Sequence, residues 1–234
     1  MNKYSKQTRI LTAVDCIIFG FDGIELKLLL VKRALEPQKG NWSLMGGFVQ
    51  ATESLDTAAA RVLKQLTGLD GVYLEQLYAF AEHDRDPIER TISIAYFALI
   101  DIHQYEKQIS EDYHAEWFPV KQIPPLIFDH TAMLHMAKEK LQYKAALHPL
   151  LFELLPQKFT LPQLQSLYEG VYDYEFDKRN FSRKVLSTGL LIKQKEKEKI
   201  SSKKGAFYYK LNKRSYQANL QAFLNIIPNS HKLK

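Results

Sequence analysis

The hydrophobic positions in the first half of the chain change period several times. Leu11 to Phe19 and Leu26 to Val31 are apolar, β-rich runs, and the Gly20-Phe21-Asp22-Gly23 segment between them is typical of a turn. Ser54 to Leu66 has helical spacing, with a serine suited to capping its start and a glycine just beyond its end. Mixed strands and helices in this order predict an α/β domain. Its remaining elements are predicted at Thr91 to Ile102, Trp117 to Val120 and Thr131 to Tyr143.

The second half of the chain has a different order of elements. Two helices are predicted, at Leu161 to Val171 and from about Asp177 to Thr188. Strands follow at Leu190 to Ile192 and Ala206 to Leu211, around a lysine- and serine-rich loop, and a closing helix is predicted at Tyr216 to Ile227. Helix, turn, helix and hairpin is the order of a winged helix-turn-helix. We therefore divide the chain into residues 1–145 and 146–234.

Charge separates the same two regions. Residues 1–144 contain 16 lysines and arginines against 19 acidic residues, whereas residues 145–234 contain 16 against 7. The net charges of −3 and +9 make up the +6 of the whole chain. A strongly basic region attached to a slightly acidic one is typical of a nucleic-acid-binding module. A basic segment that only aids solubility is the alternative.

Membrane and secreted classes are disfavoured. No apolar run reaches the roughly 18 residues that suggest a membrane span, and the segment after Met1 lacks the apolar core of a signal peptide. Cys16 is the single cysteine, so it forms no internal disulfide and no cysteine-cluster metal site. We expect a cytoplasmic protein without membrane partners.

The most informative segment runs from Gly47 to Leu69. It resembles the Nudix box, and the upstream segment from Trp42 to Gly47 resembles the strand that enters it. The resemblance covers roughly residues 8–140 and implies a Nudix-like α/β/α sandwich with a mixed sheet. The positions in register with the box are Gly47, Glu53, Arg61, Leu63, Gly68 and Leu69.

The departures from this box bear on catalysis. Three glutamates of the family pattern, which the resemblance assigns to divalent cations, are replaced by Val62, Gln65 and Leu66. These positions share one helix face, and Mg²⁺ prefers oxygen ligands that a valine and a leucine do not have. We therefore expect no metal, no cofactor and no hydrolysis, with a glutamate at 53 that orders the loop by pairing with Arg61. A residual nucleoside-diphosphate hydrolase that uses Glu53 is the alternative.

A domain of this kind without chemistry can still bind a ligand. Lys27 and Arg33 are both odd-numbered, so they are expected to face the same side of one predicted strand. A buried lysine requires a partner or a ligand. Aromatic and acidic residues alternate from Tyr78 to Asp84 and suggest a sugar-binding surface. A dimerisation scaffold without a ligand is the alternative. The full set of candidate effector-binding residues is Tyr4, Lys27, Arg33, Gly46, Gly47, Tyr78, Phe80, Glu82 and Asp84.

The second predicted helix of the basic half carries the candidate DNA contacts. Arg179 and Arg183 lie four residues apart, roughly opposite the apolar Phe181, and arginine and asparagine match the edges of guanine and adenine. Lysines there are better suited to phosphates, which position the protein without reading sequence. The loop near Gly205 either contacts DNA or is a solvated hairpin. The candidate residues are Lys178, Arg179, Asn180, Ser182, Arg183, Lys184, Lys203 and Lys204.

The combination resembles the Nudix-related transcriptional regulators of the NrtR and AraR type. The segments that carry this resemblance include Asp84-Arg85-Asp86-Pro87, Asp129-His130 and the two stretches starting at Phe159 and Lys178. It implies a dimeric repressor that binds palindromic double-stranded operator DNA and releases it on effector binding. The arabinose-responsive AraR branch is the expected match, with L-arabinose as effector. Regulation of NAD metabolism by ADP-ribose, whose diphosphate Arg33, Arg85 and Arg90 would suit, is the alternative.

Overall fold

The computed structural model describes residues 6–109, 114–147, 150–199 and 205–217. The chain divides into two compact units after Leu154. The predicted boundary at 145/146 falls inside a helix that continues to Leu147. The predicted closing helix and the candidates Tyr4, Lys203 and Lys204 lie wholly or mainly outside the described residues.

A seven-stranded mixed sheet forms the centre of the first unit. Strands β1 (Leu11–Phe21) and β6 (Thr91–Asp101) are parallel and paired along their whole length. The other pairings are antiparallel, and the main path runs β3-β2-β1-β6-β5, with β4 on β1 and β7 on β2. These strands are β2 (Leu26–Lys32), β3 (Trp42–Ser43), β4 (Met45–Phe48), β5 (Glu75–Phe80) and β7 (Ala115–Pro119).

Helices cover both faces of this sheet, and successive side chains of β1 point to one face and then the other. Even-numbered residues such as Cys16 face helix α1 (Leu55–Thr67), where the Cys16 thiol donates to the carbonyl of Ala59. The odd-numbered Asp15 faces His130, the first residue of helix α3 (His130–Leu147). The short helix α2 (Ile102–Tyr105) follows β6. This arrangement confirms the predicted sandwich.

Helix α1 begins and ends as the sequence predicts. The side chain of Ser54 accepts from the amide of Thr57, and Gly68 is left-handed with φ of 80°. The amide of Gly68 donates to the carbonyl of Lys64, which satisfies one carbonyl of the last turn. The buried stripe includes Ala59 and Val62 and packs against β1, β4 and β6.

The second unit is a winged helix. Strand β8 (Phe159–Thr160) leads into helix α4 (Leu161–Tyr172), and helix α5 (Lys178–Ser187) precedes the hairpin of β9 (Leu191–Glu198) and β10 (Ala206–Leu211). The three strands form one sheet in the order β8-β10-β9. Thr160 and Gln163 form a reciprocal capping box at the start of α4. In the described part of the chain no helix combines the length and apolar character needed to cross a membrane.

Candidate functional site

The box loop before α1 is fixed by an ion pair. Arg61 donates from Nε to Oε2 of Glu53 at 2.9 Å and from Nη2 to Oε1 at 2.5 Å. It also binds the carbonyl of Phe48, while the amide of Gln50 donates to Glu53. These hydrogen bonds, chiefly that from Arg61, lower the pKa of Glu53 to about 2. Glu53 therefore serves as an ionised structural group that closes the loop.

The adjacent glycines of β4 face opposite sides of the sheet. A β-carbon on Gly46 would lie 2.3 Å from Oδ1 of Asp15, and one on Gly47 would lie 2.7 Å from Cγ2 of Val62. Gly46 thus allows the close approach of a buried carboxylate. Gly47 allows α1 to pack directly on β4.

The three box positions on α1 do not form a cation site. Val62 is buried against Gly47, and Leu66 is half-buried. Gln65 is exposed, and its side-chain oxygen accepts from Arg61. This donor set does not fit a divalent cation, which prefers several hard oxygen ligands. No group of three His, Cys, Asp or Glu residues within the described ranges is arranged to bind a metal.

A cavity of about 190 Å³ opens on the α3 side of the sheet. Asp15 and His130 contribute to its lining, together with Arg85 from the loop after β5 and Arg33 from the loop after β2. Leu35 and Phe48 line it as well, although most of the Leu35 side chain and about half of that of Phe48 remain exposed. The cavity thus combines charged groups of both signs with apolar surface.

Asp15 is a carboxylate in the centre of an otherwise apolar strand and is 4% exposed. Its Oδ2 accepts from the hydroxyl of Ser93 at 2.5 Å and lies 3.8 Å from Nη2 of Arg85. Its Oδ1 lies 3.5 Å from Nε2 of His130. A buried charge requires such partners, and here they come from β6, α3 and the loop after β5.

His130 is neutral at this site. Its Nδ1 accepts from the amide of Leu44 at 3.1 Å, which places the ring proton on Nε2, towards Asp15. Burial lowers the pKa of His130 below its ordinary value, although the carboxylates of Asp15 and Asp129 act in the opposite direction. Two carboxylates, Asp15 and Asp129, and two guanidinium groups, Arg85 and Arg33, therefore act on a neutral ring.

Arg85 and Asp129 form a bidentate ion pair. Nε and Nη2 of Arg85 donate to Oδ2 and Oδ1 of Asp129 at 2.8 and 2.7 Å. Only 5% of the Arg85 side chain is exposed. Such paired, charge-assisted bonds fix the guanidinium in one orientation.

Arg33 is fixed differently. Its Nε donates to the carbonyls of Leu35 and Pro37, and its guanidinium lies 5.0 Å from the ring centre of Phe128. Phe128 has a φ of 47°, a left-handed conformation that is costly for a bulky residue. No described residue accepts a hydrogen bond from the terminal nitrogens of Arg33. The arginine is therefore oriented in advance and keeps donors for a ligand.

The candidate effector residues separate into two groups. Arg33, Gly46 and Gly47 line the cavity, whereas the other described candidates do not. Lys27 pairs with Asp22 at 2.7 Å and so has a structural partner. Strand β5 ends at Phe80, so the alternation from Tyr78 does not extend to Glu82 and Asp84, which lie in the following loop. Arg90 donates to the carbonyls of Ala81 and Glu82 and braces that loop.

Several residues of the polar cluster at the cavity were not among the candidates. Asp15, Ser93 and the adjacent pair Asp129 and His130 converge from three distant parts of the sequence. One signal was a charged residue inside an apolar strand, which is rare unless it is paired. Another was the Asp129-His130 segment, which is part of the resemblance.

Helix α5 presents the candidate DNA contacts on an exposed face. Phe181 is buried against Tyr168 and Phe176. The opposite side carries Arg183, whose Nη2 donates to Oδ1 of Asn180 at 3.0 Å. Ser182 is half-buried, and the side chains that are exposed are Lys178, Arg179, Asn180, Arg183 and Lys184.

The hairpin of β9 and β10 adds basic side chains to the second unit. The ammonium groups of Lys193 and Lys197 lie 3.7 and 4.4 Å from the ring centre of Phe207. Glu196 pairs with Lys158, which lowers the pKa of Glu196. The acidic charge that lies within this lysine-rich strand is thus partly neutralised.

The sequence matches two families in succession. Residues 9–138 match the NUDIX domain, and residues 151–211 match the NrtR DNA-binding winged helix domain. The chain is 34% identical over 226 residues to the ADPR responsive transcriptional repressor NtrR of Acinetobacter baylyi, covering 95% of this chain and 90% of that protein.

Solved structures agree with these matches. Shewanella oneidensis NrtR complexed with a 27mer DNA is 30% identical, with a TM-score of 0.70 over 88% of this chain and 95% of that one. The NUDIX domain of the same protein complexed with ADP ribose is also 30% identical, with a TM-score of 0.51 over 60% of this chain and 94% of that one.

These relatives support the expectation of a repressor and correct its branch. They give no support to an arabinose-responsive protein, which rested on resemblance, and they favour the ADP-ribose alternative. A Nudix domain followed by a winged helix, with relatives of the same arrangement along nearly the whole chain, shows that this protein belongs to the NrtR-type family of DNA-binding transcriptional repressors.

Proposed function

We propose that this protein binds operator DNA through α5 and releases it when ADP-ribose binds the Nudix-unit cavity. The observation that carries the proposal is the 34% identity to an ADP-ribose-responsive repressor over 95% of the chain. The cavity supports the proposal chemically, because it is lined by Arg33, whose orientation is fixed by two backbone carbonyls.

The charges of the cavity suit a ligand with an anionic centre and hydroxyl-bearing ends. The terminal nitrogens of Arg33 can donate hydrogen bonds to the oxygens of a phosphate, a group that arginine binds in a bidentate geometry. Asp15 and Asp86 offer acceptors for ribose hydroxyls. A neutral pentose would leave Arg33 without an anionic partner, so ADP-ribose fits better than arabinose.

The dimensions of the cavity agree with partial enclosure. Its volume of about 190 Å³ is below the roughly 300–1,000 Å³ typical of pockets that enclose a whole drug-sized ligand. We assign the ribose-diphosphate part of ADP-ribose to the cavity. The exposed apolar surfaces of Leu35 and Phe48 then contact the remainder.

The Nudix unit acts in this proposal as a sensor without hydrolysis. Val62, Gln65 and Leu66 supply one neutral oxygen in place of three carboxylates. Without a bound cation, a diphosphate loses the charge neutralisation that metal-assisted hydrolysis requires. The Glu53–Arg61 pair keeps the loop in place.

The DNA-binding half acts through base and phosphate contacts. Arg179, Asn180 and Arg183 are assigned to base edges, and the lysines at 178 and 184 to phosphates. We propose a homodimer that presents two α5 helices to the half-sites of a palindromic operator, about one DNA turn apart.

The test of the effector is a thermal-shift comparison of ADP-ribose with L-arabinose on the full chain. A ligand that binds only the folded state raises Tm as its concentration exceeds Kd. We expect ADP-ribose to raise Tm and arabinose to leave it unchanged. An increase with arabinose alone would contradict the assignment. Arg33→Gln should remove most of the ADP-ribose effect, whereas Lys121→Gln, an exposed charge away from the cavity lining, should retain it.

A further inference from the structure

Arg85 stands between two carboxylates inside the cavity. Asp129 binds it with two hydrogen bonds of 2.7 and 2.8 Å, and Asp15 lies 3.8 Å from its Nη2. One positive charge is thus shared by two negative charges where little water reaches them. Arg33 lines the same cavity, and its guanidinium lies 5.0 Å from the ring centre of Phe128, which packs edge-on against His130.

A diphosphate that reaches both arginines meets a charge conflict. Arg33 has donors available, but Arg85 is already neutralised, and two carboxylates beside a phosphate repel it at low dielectric. Asp15 lies in the middle of β1 and is tied to Ser93, so it has little freedom to move. Asp129 is therefore the carboxylate that must withdraw.

Asp129 has an alternative partner at the start of α3. Its carbonyl accepts from the amide of Met133, which is the position of a helix N-cap. A carboxylate at an N-cap is stabilised by the free amides of the first turn and by the helix dipole. Asp129 therefore has two favourable sites, Arg85 and the first turn of α3, and a change between them is a two-state element.

The other end of α3 is tied to the sheet independently. Lys144 pairs with Glu75 at the start of β5 and lies over the ring of Phe97. This second pair involves no residue of the cavity lining. It therefore provides a second ion pair on the same helix that is separate from the cavity.

We propose that ADP-ribose displaces Asp129 from Arg85, and that this exchange couples the effector site to α3 and hence to operator release. The inference rests on the proposed function, because it takes ADP-ribose as the effector. It adds one switch residue, Asp129, and leaves the Lys144–Glu75 pair outside the switch. The ion pair with Arg85 belongs to the operator-binding state, and the N-cap position belongs to the released state.

Asp129→Asn tests the exchange, since asparagine caps helices as well as aspartate but cannot form the ion pair. We expect tighter ADP-ribose binding, weaker operator binding without effector and a smaller response to effector. Each affinity should change by about 5- to 150-fold, the usual range of coupling between two sites. Glu75→Gln is the matched control, because it breaks the other ion pair of α3, and it should keep the wild-type affinity for ADP-ribose and the wild-type response.

Three results separate the possible failures. If wild type does not bind ADP-ribose, the proposed function fails and the exchange fails with it. If wild type responds but Asp129→Asn has the same affinities as wild type, the exchange alone is wrong. Weaker ADP-ribose binding by Asp129→Asn would mean that Asp129 is a ligand contact, which also overturns the exchange.

Hydrogen exchange on the wild-type chain tests the same exchange without a substitution. ADP-ribose should slow exchange of the amides at 131 and 132, which gain the Asp129 carboxylate as an acceptor, and should leave those at 142–144 unchanged. No change at 131 and 132, or an equal change at both ends of α3, would contradict the proposal.

Discussion

Gly46 lies directly against Asp15, at a distance that no larger residue allows. A β-carbon at position 46 would meet Oδ1 of Asp15 at 2.3 Å, and Asp15 is itself held by Ser93 and faced by His130. Gly46→Ala should therefore displace the carboxylate and destabilise the fold by about 1–3 kcal/mol, the usual cost of overpacking. Urea denaturation measures this change, and it should be accompanied by weaker ADP-ribose binding.

Gly47 provides the matched comparison for this prediction. A β-carbon at position 47 would meet Val62 on the α1 side of the sheet, away from Asp15. Gly47→Ala should be destabilising alone, and adding Val62→Ala should restore part of the lost stability. The same Val62→Ala change should not rescue Gly46→Ala. Equal rescue of both variants would mean that the two glycines do not face different helices.

His130 should make folding less stable in mild acid. Its pKa is lowered by burial, while an unfolded histidine titrates at its ordinary value of about 6.5. As pH falls below that value, the unfolded chain binds a proton that folded His130 does not. Stability then falls by up to about 1.4 kcal/mol per pH unit, until the folded pKa is reached. Above about pH 7 the ring is neutral in both states and contributes no pH dependence.

Substitution isolates this contribution. His130→Gln should give a shallower loss of stability between pH 7 and 5 than wild type, and His135→Gln, on the exposed side of the same helix, should retain the wild-type slope. Parallel curves for wild type and His130→Gln would show that His130 is not the source.

Glu53 should contribute to stability and not to turnover. Arg61 lowers the pKa of Glu53 to about 2, so its stabilising effect is present above the unfolded value of about 4.3 and is lost as pH falls towards 2. Glu53→Gln should lower Tm at pH 7, and the difference from wild type should shrink in that acidic range. Neither protein should hydrolyse ADP-ribose with Mg²⁺ or Mn²⁺. Turnover by wild type that Glu53→Gln abolishes would restore the hydrolase interpretation.

The arginines and lysines of α5 should have different effects on DNA binding. Arg179→Ala and Arg183→Ala should each cost about 1–3 kcal/mol and relax the preference for operator over unrelated sequence, because they are assigned to bases. Lys184→Ala should weaken binding to all sequences and reduce the salt dependence by about one counterion. Lys121→Ala removes the same charge from the Nudix unit and should change neither. Fluorescence anisotropy at two salt concentrations measures all four.

The fold was largely predictable because its signals are local. The apolar run after Leu11 and the Ser54 cap with Gly68 specify β1 and α1 within short windows. Helix α1 forms within one residue of its predicted bounds, whereas β1 continues to Phe21, through the first half of the predicted turn. The order of elements in the basic half similarly specified the winged helix. The domain boundary was harder to place, because α3 continues without interruption through residue 145.

The site was less predictable because its contacts join distant residues. Ser93 reaches Asp15 across the pairing of β1 with β6, and Asp129 is 44 residues from its partner Arg85. No periodicity within one element records such pairs. The predicted alternation of aromatic and acidic residues along one strand was also wrong beyond Phe80, because β5 ends there and Glu82 lies in the following loop. The arabinose branch was preferred on resemblance and on the slightly negative charge of the first region, and the relatives give it no support.

Effector-driven release of DNA is the most direct test of whether this protein is an ADP-ribose-responsive repressor. The chain is bound to a fluorescent duplex from the region upstream of its own gene and titrated with ADP-ribose, with L-arabinose and ADP in parallel. We expect ADP-ribose to lower operator affinity at a concentration near its own Kd and arabinose to have no effect. Release by arabinose, or a complex unaffected by saturating ADP-ribose, would contradict it.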